Sequence, residues 1–151
     1  FDKVERNANA RKESEEAFKR DVLAFQEETK ALLMEIKDWF DGSPVTSSVG
    51  TTQVTENTTR FEVSNLTLKN GDKTLTIVPE GLYYFGVKGC LEATINNPNS
   101  SPSTSKFKLH WKDSVSQLPG WVIVSGSLGR TPAERTSFNQ ENFFKTIIAF
   151  A

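Results

Sequence analysis

The feature that most constrains the fold is a run of thirty residues, RKESEEAFKRDVLAFQEETKALLMEIKDWF (11–40), without Gly or Pro. Ala, Glu, Lys and Leu dominate it, side chains that lose little freedom in a helix. Phe18, Val22, Phe25, Thr29, Leu32, Ile36 and Trp39 follow one another at alternating spacings of four and three. That step keeps side chains on a single stripe of a helix. Leu33 and Phe40 widen it. Upstream, the same phase meets Val4, Ala8, Arg11 and Glu15, so the stripe fades and the first ten or so residues are expected to be exposed, frayed or partner-bound. The stop is DGSP (41–44): Gly42 suits a left-handed cap, and Pro44 follows where the helix must already have ended. The pattern predicts a helix over 1–41.

From Val45 onward the chemistry changes to Thr, Val, Phe, Tyr and Ile in short runs between turn residues. Phe61, Val63, Leu66 and Leu68 lead to Asn70–Gly71, which supplies the positive φ angles of a tight hairpin, and Leu75 and Ile77 return. LYYFGV, CLEATI and KFKLHWK read as further strands, with Phe107, Leu109 and Trp111 on one face of the last. Between Asn96 and Ser105 the chain is almost wholly polar and is expected to form a mobile loop. GWVIVSG reads as the final strand, and Gly126 to Arg135 as a polar link. The link leads to a C-terminal helix over 137–150, capped by Ser137 with Gln140 at capping-box spacing. The expected fold is α+β: a long N-terminal helix, a meander-like antiparallel sheet of about six or seven strands over 45–126, and a short helix packed on it. At 151 residues, 36% of them hydrophobic, a single domain with a real core is expected.

Composition narrows function by exclusion. The net charge of −1 gives no general attraction to nucleic acid or anionic membrane. The aromatics of LYYFGV and KFKLHWK, with Lys106, Lys108 and Lys112 nearby, are not matched by any nucleic-acid motif. No apolar stretch reaches the ~18 residues of a membrane span. The one cysteine, Cys90, has no internal partner for a disulfide, which favours a cytoplasmic setting. Triplets at Asn57, Asn65 and Asn99 fit the N-glycosylation pattern and would matter only in a secreted eukaryotic protein.

Few residues invite chemistry. In GSLGRT (126–131) a Gly-basic-hydroxyl tail resembles the end of a phosphate loop, but Val124 stands where the first glycine belongs. Pro132 follows at once, and the next helix starts too late to aim its N-terminus at an anion. The stretch is read as a connection, with Arg130 as an exposed handle for an acidic partner. His110, opposite Leu109 and Trp111 in an alternating strand, is expected to face solvent without a nucleophile to serve. Cys90 reads as a small apolar residue in a strand, and Gly86 and Gly89 as marks of a bulge or bend. The carboxylates of the long helix are interspersed with Lys and Arg, with Glu15–Lys19 and Glu16–Arg20 at i, i+4, as on a solvated face. One His and one Cys cannot build a structural zinc site, and no cofactor or catalytic residue is expected.

The reading is therefore a non-catalytic protein-interaction module, in character like a bacterial toxin-neutralising (immunity) protein or an effector chaperone. Its candidate partner-helix seam is Phe18, Val22, Phe25, Leu32, Ile36 and Trp39, which either packs on the chain's own sheet or makes a homodimer. The alternative is a small-ligand protein with a pocket between sheet and helix, lined by Tyr83, Phe85, Trp111 and Trp121. An enzyme whose site only the fold would reveal is the third reading.

Overall fold

The computed structural model describes residues 2–84, 87–112, 118–126 and 133–151. Helix α1 (Asp2–Trp39) precedes seven strands: β1 (Thr46–Glu56), β2 (Thr59–Asn70), β3 (Lys73–Tyr84), β4 (Val87–Asn96), β5 (Thr104–Trp111), β6 (Trp121–Ser125) and β7 (Glu134–Ser137). Helix α2 (Gln140–Thr146) and a 3-10 turn (Ile148–Phe150) follow. Strand order in the sheet is chain order, β1 to β7, and every neighbouring pair is antiparallel. This is the expected α+β meander.

Helix α1 ends where the sequence says it should. Gly42 has φ +81°, and the amides of Phe40, Asp41 and Ser43 turn back to the carbonyls of Lys37, Asp38 and Phe40. The apolar stripe packs on the chain's own sheet. Phe25, Leu32, Leu33 and Ile36 are buried in one core with Leu66, Leu68, Leu75, Ile77, Leu91, Ala93, Ile95 and Leu109. Phe18, Val22 and Trp39, toward the two ends of the stripe, are only partly buried against it.

The tightest approach of helix to sheet is at Phe25. A Cβ placed on Gly89 would lie 2.8 Å from the Phe25 ring, and Gly89 has φ +128°, which side-chain-bearing residues rarely adopt. Gly89, expected to mark a bulge or a strand bend, is thus also the seat for a ring. The irregularity lies across from it on β3, where the register slips between Pro79 and Gly81 and Glu80 is the extra residue. Gly86 lies outside the described residues.

The β2–β3 hairpin turn also differs from expectation. At the β2–β3 turn Asn70 pairs with Lys73, and Gly71 alone carries a positive φ, +64°. The turn therefore needs glycine at its first central position rather than an Asn-Gly pair. At the β1–β2 turn Asn57 and Thr58 both have positive φ, 49° and 64°, with no glycine present. The polar stretch after β4 is tied down: Asn97 donates its amide N–H to Ser103 O at 2.7 Å, and its Oδ1 accepts from Asn99 N at 3.0 Å.

Trp121–Ser125 is not the last strand. Glu134 and Arg135, read as part of a polar link, belong to β7, which pairs with β6 from Ser125↔Glu134 to Val122↔Ser137. ERTS has no apolar residue to announce a strand; the open backbone edge of β6 recruits it. The cap of α2 is accordingly Asn139, whose side chain accepts from Asn142 N at 2.8 Å, and not Ser137. Phe138 stacks on Trp39 with ring centroids 5.5 Å apart, and Phe143 lies 5.8 Å from the same indole, so the end of α1 and α2 share an aromatic cluster.

Replacing Gly89 with Ala should therefore cost about 3 kcal/mol, combining backbone strain with overpacking against Phe25. Gly42→Ala, which meets no neighbouring atom within 4 Å, should cost only about 1 kcal/mol. Urea unfolding of the two variants checks the difference; equal losses would mean that the ring does not bear on Gly89.

Candidate interaction surface

Helix α1 is much longer than the sheet it covers. Every residue from Lys3 to Glu16 is exposed, and burial begins only at Ala17 and Phe18. Fourteen helical residues, about 21 Å of helix, thus stand clear of the core. The overhang carries four Lys or Arg (Lys3, Arg6, Arg11, Lys12) and four Glu (Glu5, Glu13, Glu15, Glu16), with Val4 its one large apolar side chain.

The base of this overhang is held firmly. Asp21 accepts a hydrogen bond from the Tyr83 hydroxyl at 2.8 Å and lies 3.6 Å from Lys88 Nζ, while Phe18 and Tyr83 have ring centroids 6.2 Å apart. Partial burial and the Asp21 carboxylate together push the Tyr83 phenol up to about 12. One turn on, Gln26 Nε2 donates to the Glu62 carbonyl at 2.8 Å, tying α1 to β2. The β1–β2 hairpin is anchored separately. Past Leu66↔Ile77 strand β3 has left β2, and Glu56 Oε1 accepts from the amides of Leu82 at 3.0 Å and Tyr83 at 3.3 Å. A carboxylate here substitutes for a missing strand neighbour.

These two anchors bring the hairpin tip beside the helix. A cleft of about 490 Å³ lies between them, lined by Arg11, Ser14, Glu15, Phe18 and Lys19 of α1 and by Asn57 and Thr59 of the hairpin. Phe18 gives it an apolar floor, and the long charged side chains line the rest. The tip itself is held in an unusual state. Thr58 is β-branched, and the left-handed region is costly for such residues.

The residues that sequence reading weighed for chemistry lie elsewhere. Cys90 and His110 stand directly opposite each other on β4 and β5, on the face away from α1. His110 is not solvent-facing: it is 3% exposed, flanked by Cys90 and Val122, both fully buried. Alternation placed it correctly opposite Leu109, but this part of the sheet is buried on both faces. Cys90 donates to Glu80 Oε2 at 3.3 Å, and Lys108 Nζ lies 3.0 Å from the same oxygen. Burial first, and the Glu80 carboxylate second, push the Cys90 thiol up to about 12. Burial opposes ionisation of Glu80, yet the hydrogen bonds from Lys108 and Cys90 outweigh it and hold that carboxyl below its ordinary value. The thiol therefore donates its proton to a carboxylate. Among the described residues no group of three His, Cys, Asp or Glu side chains is placed to hold a metal ion.

Of the seam residues, Phe25, Leu32 and Ile36 are core, Val22 and Trp39 flank it, and only Phe18 reaches the cleft. Trp111 and Trp121 are core residues with ring centroids 6.4 Å apart, whereas Tyr83 lies with Phe18 and Asp21. Phe85 lies outside the described residues, as does Arg130. Lys106 and Lys108 pair with Glu92 and Glu80, and Lys112 lies 4.6 Å from the centroid of the Trp111 ring. Among the described residues no helix is long and apolar enough to cross a membrane. The clamps at Asp21 and Glu56 join residues too far apart in the chain for any local sequence signal. The turn at Asn57 carried a weak signal in Asn alone, which tolerates positive φ. No family model, curated protein or solved structure matches the chain.

Two outcomes follow. Thr58→Gly should stabilise the protein by about 1 kcal/mol by relieving the left-handed strain, read as a raised thermal midpoint. The Cys90 thiol should resist alkylation at pH 8 in the folded protein, because its proton is held until pH approaches 12, and should react at once in denaturant. Fast labelling of the folded chain would reverse that assignment.

Proposed function

We propose that the protein is a non-catalytic binding module for another protein, with the overhang of α1 and the β1–β2 hairpin tip as its recognition surface. The observation that carries this reading is the exposed helix Lys3–Glu16. A polar helix of that length is marginal by itself in water, and here it is propagated from a packed helix that acts as its nucleus. Such an element is ready-formed for a partner, so less ordering entropy is lost on binding. Its interleaved charges favour a partner of matching, mixed charge over a purely acidic or basic surface. The cleft floored by Phe18 offers room for one apolar side chain beside that charged helix.

An immunity-type or chaperone-type protein remains the class of interaction protein this suits. The small-ligand reading has less support, since two of its four proposed lining residues, Trp111 and Trp121, are core. For the enzyme reading, the two side chains weighed as catalytic, Cys90 and His110, are buried on the opposite face of the sheet.

Deleting residues 1–16 tests the proposal. The shortened chain should keep its thermal midpoint to within a few degrees, since residues 3–16 are all exposed, yet lose the partner that the full chain retains from a lysate of its source. Capture of the same partner with undiminished affinity by the shortened chain would refute it.

A further inference from the structure

The C-terminal 3-10 turn is latched by two asparagine amides from different hairpins. Asn70 Nδ2 donates to the Phe150 carbonyl at 2.9 Å and to Ala151 O at 3.4 Å. Asn97 Nδ2 donates to the Ala149 carbonyl at 2.9 Å. Between them they hold Phe150, which is 1% exposed in the core. Both latches work only while the side chain is an amide, because only the NH₂ group can donate to these carbonyls.

The residues that follow the two asparagines give them opposite chemistry. Asn97 is followed by Pro98, whose nitrogen carries no hydrogen and cannot attack the side chain. Asn70 is followed by Gly71, which has no side chain to hinder its own nitrogen and sits on an exposed turn. In a two-residue hairpin the closing bond joins Asn70 and Lys73, and the Gly71 amide takes no part in it. A Cβ built on Gly71 meets no atom within 4 Å, so the turn is open to water.

We propose that Asn70 is a site of spontaneous deamidation whose product releases one of the two latches and loosens the C-terminal segment. The Gly71 nitrogen attacks Asn70 Cγ, forming a new N–C bond; the Cγ–Nδ2 bond breaks and ammonia leaves with the amide proton. Water then opens the five-membered imide at either carbonyl, giving aspartate or isoaspartate at position 70. Water is the only co-reactant, and nothing is oxidised or reduced. The product carboxylate faces the Phe150 carbonyl and Ala151 O with no proton to donate, so two attractive contacts become repulsive. Isoaspartate also lengthens the backbone by one methylene inside a two-residue turn that tolerates no extra length. Asn97, Lys73 and the Phe150 ring then hold the segment without Asn70.

The full chain, aged at mildly alkaline pH and mapped by peptide mass spectrometry, tests this. Amide-to-acid conversion should accumulate at Asn70 while Asn97 stays intact, and part of the product should be isoaspartate. Hydrogen exchange at residues 147–150 of the aged protein should rise by about tenfold, the loss of one or two hydrogen bonds, while β3 and β4 keep their protection. Asn70→Asp, made directly, should show the same exchange pattern without the isoaspartate. Conversion at Asn97 as fast as at Asn70, or unchanged exchange at 147–150 in either the aged protein or Asn70→Asp, would overturn the proposal.

Discussion

The burial of one side of α1 against the sheet is the interaction on which the rest depends. A one-layer meander has an apolar face that water would otherwise wet, and Phe25, Leu32, Leu33 and Ile36 cover it. The fit is closest where the Phe25 ring lies on the backbone at Gly89. That contact sets the height of the helix above β4, and the Asp21–Tyr83 hydrogen bond sets its position along β3. The helix carries its own amphipathic division: apolar side chains meet the sheet, while the interleaved Glu and Lys stay in water. Once docked it is a rigid rod, and its direction decides where the uncovered first half points.

Periodicity made most of this legible. Steps of four and three gave the helix and its buried side; Gly42 and Pro44 gave its end. Alternation gave the two strands of the first legible hairpin, but the register Leu66↔Ile77 and Leu68↔Leu75 follows from a Gly71–Asp72 turn rather than from Asn70–Gly71. What stayed hidden had no periodic signature. Strand β7 exists because β6 offers hydrogen bonds, and its own side chains do not encode it. The cap moved from Ser137 to Asn139 because the helix begins after that unannounced strand. His110 was placed on the correct face, but alternation alone does not reveal whether the second face of a sheet is wet. The candidate surface was half legible: the fading stripe showed that the helix would outrun its support, while the hairpin beside it depends on Glu56 reaching Leu82 across 26 residues.

The two sides of the sheet divide their roles. The side under α1 is apolar and supplies cohesion. On the other side Glu80, Cys90 and Lys108 form a small polar knot at the β3 irregularity, where an extra residue must be accommodated. A thiol, an ammonium and a carboxylate so arranged satisfy one another, which suits a structural role at a disrupted ladder. The charged overhang and the strained hairpin tip stand apart from Cys90 and His110, which lie on the face away from α1.

The meander order of the strands has a consequence for how the chain acquires its shape during synthesis. Each strand's neighbours are the segments made just before and just after it, so hairpins can close one by one as they emerge, with small loops to fix. The helix is different. It is made before the sheet, and its covering surface comes from β2 to β5, so the apolar stripe must wait for most of the sheet to be translated. For that interval the nascent chain presents a ready amphipathic ligand, and the same stripe that later closes the core is the segment most in need of protection on the ribosome.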